Sequence, residues 1–388
     1  MKTTESEREA SLFNGPQSGG LRGFFVGSAF GMRPGEGALA WLFFLYFLAL
    51  TTVHFAGKSV RQASFIDELG AQNLPFVYLA VALISYPVLV LYSRLAARFK
   101  QSSMIVGSSA LHAAGFVIFF ILYSVEQVNQ RGVAALYYVW LGMAFAISVS
   151  QVWSYANHVF DPRQARRLFA FIGAGGLLGA IPGGLMAWRV TQMAGTRFTL
   201  LAAAAVALAI PVLVLLIERN RPNIRPPATY PSRARVEEAR GGLEIIRGSR
   251  LLLLITVLML ATVVVGQLVG WQFYWHVQQE TTELDERTSV IGGFFILMGI
   301  VGFVFQLLFT QRIHRALGVG VGMRVLPATV GFLQIAVVVA LIAQAPIVFS
   351  LVVVLMLAEG SLRHSVDQAT RELLFLPVPS SLRVRAKA

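Results

Sequence analysis

The 388-residue chain is 56% hydrophobic and only 13% charged. That is more apolar side chain than a soluble domain can cover, so the solvent it is built for is a lipid bilayer. It has no cysteine, which excludes disulfides, thiol catalysis and thiolate metal sites. Its formal net charge of +13 is spread over several short loops, which fits membrane topology and not a nucleic-acid-binding patch.

Residues 1–37 are polar and Gly-rich and lack the basic-then-apolar order of a cleaved signal peptide. Ten stretches are then long and apolar enough to span: 38–57, 73–94, 104–124, 134–158, 167–188, 197–217, 251–276, 289–310, 322–343 and 345–362. The loops after even-numbered spans are basic: Arg94, Arg98 and Lys100 after the second; Arg163, Arg166 and Arg167 after the fourth; Arg312, Arg315 and Arg324 after the eighth. The loops after odd-numbered spans are not, and 278–286 (QQETTELDE) is acidic. Lys and Arg are retained on the cytoplasmic side, so this alternation predicts a multi-pass protein with a cytoplasmic N-terminus.

A Pro- and Arg-rich linker, 218–250, separates a six-helix bundle, 38–217, from a four-helix second half, 251–362. Six-plus-six around a cytoplasmic linker is the layout of the major facilitator fold. The predicted fold is therefore an all-α polytopic membrane bundle, major-facilitator-like, with about 10 of 12 helices present. Residues 363–388 then form a cytoplasmic connector towards an eleventh helix that the sequence does not include.

Polar side chains within spans mark candidate sites, because a charge at the bilayer centre costs about 2.5–3.5 kcal/mol on insertion scales. HFAGKSVRQASF, 54–65, carries His54, Lys58 and Arg61 at successive turns, a spacing that can hold an anion or, alternatively, snorkel to an outer loop. QVWSYANHVFDPRQARRLF, 151–169, ends the fourth span and sets Trp153, Tyr155, Asn157 and His158 at a helix end, either an aromatic-amide surface for a planar solute or an interfacial belt. GQLVGWQFYWHVQQ, 266–279, interleaves Gln272 and His276 with Trp271, Tyr274 and Trp275. LAEGSLRHSVDQATREL, 357–373, allows Glu359–Arg363 and Asp367–Arg371 pairs at helical spacing. GAGGLLGAIPGG, 173–184, lacks the Lys-Ser/Thr of a phosphate loop and reads as a helix-packing stripe. The six histidines are scattered, and neither a metal site, a cofactor site nor a catalytic set can be argued.

Several of these segments together resemble the nucleotide transporter family, the ATP/ADP translocases of plastids and intracellular bacteria with their broader bacterial relatives. They are KSVRQASFIDELGAQNLPF, 58–76; WSYANHVFDPRQARRLFAFIGAGG, 153–176; GWQFYWH, 270–276; and TRELLFLPVPSSLRVRAKA, 370–388. In the last, a Thr-basic-Glu triplet and a basic Lys-Ala run lead in that family into the eleventh helix. The resemblance implies a twelve-helix inner-membrane carrier of bacterial type that exchanges nucleotides by alternating access. It implies basic phosphate-binding positions at Arg61 and Arg371, whose planar fork suits phosphate. Where the family's helices four and seven carry acids, this chain has His158 and Gln272. The partners implied are a nucleotide or other anionic solute and the bilayer. The alternative class is a non-transporting sensor or anchor module with a fused or separate cytoplasmic domain.

The topology is checked with single cysteines, since the chain supplies none of its own. A cysteine at Gln127 is expected to react with an impermeant maleimide in intact cells. One at Ser102 is expected to react only after permeabilisation, and the reverse pattern inverts the topology.

Overall fold

The computed structural model describes residues 33, 36–96, 98–220, 248–306, 308, 311–363, 367 and 370. Most of the polar leading segment, the linker from 221 to 247 and the chain beyond 370, Arg371 included, lie outside the described residues. Everything regular among those described is helical. In hydrocarbon every backbone polar group must be satisfied internally, and a helix does so within one segment.

The first half holds α1 (Gly37–Leu69), α2 (Leu74–Ala96), α3 (Gln101–Ser124), α4 (Gln130–Val159), α5 (Pro162–Leu178), α6 (Ala180–Ala194) and α7 (Thr196–Asn220). The second holds α8 (Arg250–Glu280), α9 (Leu284–Phe305), α10 (Gln311–Ile342) and α11 (Val348–Leu362). Among the described residues, nine helical stretches are long and apolar enough to cross a membrane, with Val348–Leu362 as a shorter apolar helix. The chain is thus a multi-pass integral membrane protein, and its described residues form an all-helical bundle.

Several elements differ from the sequence expectation: α1 runs on to Leu69 and not 57, and α10 starts at Gln311 and not 322. The fifth span is not one helix over 167–188 but α5 and α6, which meet at Gly179. Pro182 has no N–H to donate to the Leu178 carbonyl, so the helical ladder breaks there. The tenth span begins only at Val348, because the chain turns through Gln344 in the left-handed region (φ 51°). The start of α5 is fixed by a capping box: Asp161 accepts from the Arg163 and Gln164 amides, and the Gln164 side chain accepts from the Asp161 amide. The Gln164 amide, then that of Arg163, holds the Asp161 carboxyl below its ordinary range.

α1 is the central element, enclosed by α4, α5, α6, α7 and α9. At 33 residues it is about 50 Å long, which exceeds the thickness of the hydrocarbon core. By contrast α2 and α8 present mostly exposed apolar side chains, such as Leu79, Leu83, Val263 and Val264, the composition of a lipid-facing surface. The glycine stripe of α5 and α6 packs against α1 and α9. A side chain on Gly183 would strike the Thr52 carbonyl, and one on Gly184 the Gly292 carbonyl of the second half. Such close approach is how helices associate where hydrophobic burial gives no drive.

The apolar core has three parts. Two lie within the first half, around Phe43, Tyr155 and Ile172 and around Val53, Phe116 and Tyr137. The third joins the halves, setting Ile66, Leu74 and Tyr138 against Phe273, Ile291, Phe295 and Leu355. Gly184→Val should therefore wedge α6 from α9 and cost about 1–3 kcal/mol of stability by overpacking. It should lower the unfolding temperature in detergent, whereas Gly293→Val, with open space at its position, should change little.

Candidate functional site

The site is built outward from α1. His54, Lys58 and Gln62 follow one another at intervals of four residues, with Arg61 beside Gln62, so they form a strip along the helix. Each finds a different environment. His54 is buried and stacks on Phe145 of α4, ring centroids 3.4 Å apart, so it faces into the first half. The Lys58 ammonium lies 4.9 Å from the Phe295 ring centroid of α9 and 5.9 Å from that of Phe55. The Arg61 guanidinium lies 4.2 Å over the ring of Tyr138 on α4. These are cation–π distances, and such contacts gain strength where water is scarce. Gln62 donates to the Tyr138 hydroxyl at 3.2 Å. Tyr274 of α8 is buried beside Gln62 and Tyr138, and Tyr78 of α2 packs on the same cluster.

The second half answers with α11. Glu359 and Arg363 form the ion pair that their spacing predicts, and Arg363 Nη2 also donates to the Thr262 carbonyl of α8 at 2.6 Å. Glu359 is only 5% exposed. The pair fits against α8 because residue 266 is glycine: a side chain there would collide with the Arg363 guanidinium and stand 2.5 Å from Glu359 Oε1. Arg363 and Asp367 lie in wider, π-helical turns, a distortion frequent at functional sites. Lys58 is within electrostatic reach of Arg61, Glu359 and Arg363, and Glu359 is within reach of Asp367. Cations from both halves thus meet acids at one depth. Lys58, Arg61 and Arg363 against Glu359 and Asp367 leave one positive charge in excess. Lys58, Arg61 and Arg363 are half-buried and keep some accessible surface.

The remaining sequence candidates do not join this cluster equally. Gln272, Tyr274 and His276 are on α8: Tyr274 belongs to the cluster, Gln272 is half-buried with its Oε1 enclosed and unpartnered, and His276 Nδ1 bonds the Gln272 carbonyl at 2.9 Å. Trp153, Tyr155, Asn157 and His158 lie toward the far end of α4. From Tyr138 to Tyr155 is 17 residues of one helix, about 25 Å along its axis. There Trp153 packs between Phe47 and Phe169, and the Tyr155 hydroxyl donates to Glu218 at 2.6 Å. Asn157 is exposed and His158 half-buried. No small solute could touch Arg61 and this segment together. Sequence reading passed over Gln62, Tyr78, Tyr138 and Gly266. The signal available was a paired tyrosine, Tyr137-Tyr138, inside an apolar span, which an interfacial belt does not explain.

No protein-family model matches the chain, and no curated protein matches it. Solved structures do. One is a bacterial homolog of the human lysosomal transporter Spinster, in an inward-facing and unoccupied conformation. It matches at TM-score 0.54 and 14% identity, over 92% of this chain and 78% of that one. An auto-inhibited peptide transporter of the POT family matches at TM-score 0.54 and 13% identity, over 89% of this chain and 84% of that one. The POT family transporter PepTSo matches at TM-score 0.54 and 12% identity, over 89% and 85%. At such identities the likeness establishes the fold, the major-facilitator type.

Removing the acid from the paired cluster strands Arg363 in an apolar setting. Glu359→Ala is expected to destabilise the protein by about 3–5 kcal/mol, as breaking buried pairs does elsewhere. Glu359→Ala combined with Arg363→Met should recover part of that loss in a thermal unfolding series.

Proposed function

We propose that the protein is a secondary transporter that carries an organic anion by alternating access, with nucleotides, exchanged one for another, as the first candidate substrates. The observation that carries this reading is the convergence of Lys58, Arg61 and Arg363, from both halves, on one partly accessible depth within the membrane. Ionisable groups there are expensive and mark substrate or ion pathways. Three solved structures of the same fold are named as transporters, which supports the class.

In this reading Arg61 and Lys58 meet the anionic group. Tyr138, Tyr274 and Gln62 border the rest of the solute, with Gln272 as a polar wall. The resemblance adds Arg371 as a second phosphate position. Trp153, Tyr155, Asn157 and His158 contribute to the entry path and not to the same contact set. No covalent chemistry is needed. The solute must only bind both access states and permit their exchange. In a bacterial cell the site of action would be the inner membrane, with the basic loops cytoplasmic. Gln272 favours a second reading, a non-transporting module, because a neutral amide cannot supply the acid that the resembling family has there.

The test is thermal shift and proteoliposome uptake with ATP, ADP and inorganic phosphate. A ligand at a hundred times its Kd stabilises by about 2.7 kcal/mol. Arg61→Gln is expected to weaken binding roughly 10- to 100-fold and to abolish uptake while the protein stays folded. Absence of both shift and uptake for every anion, in folded protein, would favour the non-transporting module.

A further inference from the structure

At the end of the bundle away from the basic loops, the two halves are joined by polar contacts. Arg287, near the start of α9, places Nη1 2.6 Å from Asp67 Oδ1 near the end of α1. One turn on, the Ala71 backbone is gripped from both sides: its amide donates to Gln278 Oε1 at 2.8 Å, and its carbonyl accepts from Trp271 Nε1 at 3.0 Å. Beside these, the Thr196 amide donates to Asp285 at 2.8 Å and the Thr196 hydroxyl to Thr288 at 2.9 Å. Asp67, Ala71 and Thr196 belong to the first half; the groups they meet belong to the second.

The Asp67–Arg287 pair is asymmetric in a way that suits a reversible contact. Arg287 is 5% exposed and is held within its own half, with Nε donating to Thr281 Oγ1 at 3.1 Å and Nη2 to the Thr281 carbonyl at 2.8 Å. If Asp67 withdraws, the cation keeps both bonds. Asp67 is already 34% exposed and passes to water. The Ala71 amide and carbonyl lie just past the end of α1 and are fully buried in this closed arrangement, so they meet water only once the two ends part. Arg287 thus keeps hydrogen-bond partners in its own half and Asp67 is already partly solvated, which lowers the cost of parting this polar contact. The apolar contacts deeper in the joint core have no such exchange available.

We infer that Asp67–Arg287, together with the grip of Trp271 and Gln278 on Ala71, is a latch that holds this end of the bundle closed and must open for the opposite access state. What the motion is for rests on the carrier reading above; the latch itself does not.

The experiment uses the full chain, whose lack of cysteine makes labelling clean. Spin labels at Gln72→Cys and Gln279→Cys, both exposed and on opposite halves, report the separation of this end by pulsed electron resonance. Asp67→Asn is expected to raise the long-distance population several-fold. Asp67→Glu, which keeps the charge, should stay near the parent, and Gln278→Ala should shift the population in the same direction as Asp67→Asn. Distances unchanged in both Asp67→Asn and Gln278→Ala overturn the latch, and a lowered unfolding temperature with parent distances reduces the pair to a static staple. Opening without uptake of any anion supports the latch and counts against the carrier reading, so the two fail separately.

Discussion

Lys58, Arg61 and Arg363 are charged groups half-buried among apolar helices, where each needs an answering group. The protein answers them in three ways. Lys58 lies over an aromatic ring of the opposite half, Arg61 lies over Tyr138, and Arg363 is paired with Glu359 and bonded to a helix carbonyl. Much of the surrounding structure follows from this need. Glycine at 266 makes room for the guanidinium, Gln62 orients the tyrosine that faces Arg61, and the joint apolar core encloses the tyrosines.

Only part of that charge is neutralised internally. Glu359 occupies Arg363, whereas Arg61 is met by a ring face alone among the described contacts and retains accessible surface. A ring face attracts a cation more weakly than a carboxylate does in the same surroundings, so the Arg61 charge is less fully answered than that of Arg363. The cluster thus separates an arginine held by an ion pair from one met by a ring face.

The joint between the halves is built from two kinds of contact. Deep in the membrane it is close packing, with Gly184 against Gly292 and Phe55 against Phe295. At the end away from the basic loops it is hydrogen bonds and an ion pair. Packed apolar surfaces can rock about a contact line without a strong penalty in lipid, since lipid tails are as apolar as the surfaces they replace. Polar contacts are directional and switch between made and unmade. A pivot of one kind beside a clasp of the other is a division suited to a bundle with two states.

The sequence by itself determined the solvent, the approximate place of most spans and the sign of each loop, because hydropathy and charge are local properties read one segment at a time. It also contained the Glu359–Arg363 pair, since a four-residue separation on one helix needs no knowledge of the fold. Only the tertiary structure decided which polar groups share a depth. Trp153, Tyr155, Asn157 and His158 carried as strong a signal as Arg61, yet their place along α4 puts them about 25 Å away. Conversely, Tyr138 and Gly266 were unmarked until α1 was laid against α4 and α8 against α11. Asp67 and Arg287 are 220 residues apart. Local pattern says that each stands near a helix end, but their meeting depends on the relative height and rotation of two helices. That is fixed by glycine contacts and interlocking side chains across the joint, and it leaves no periodic trace in either helix.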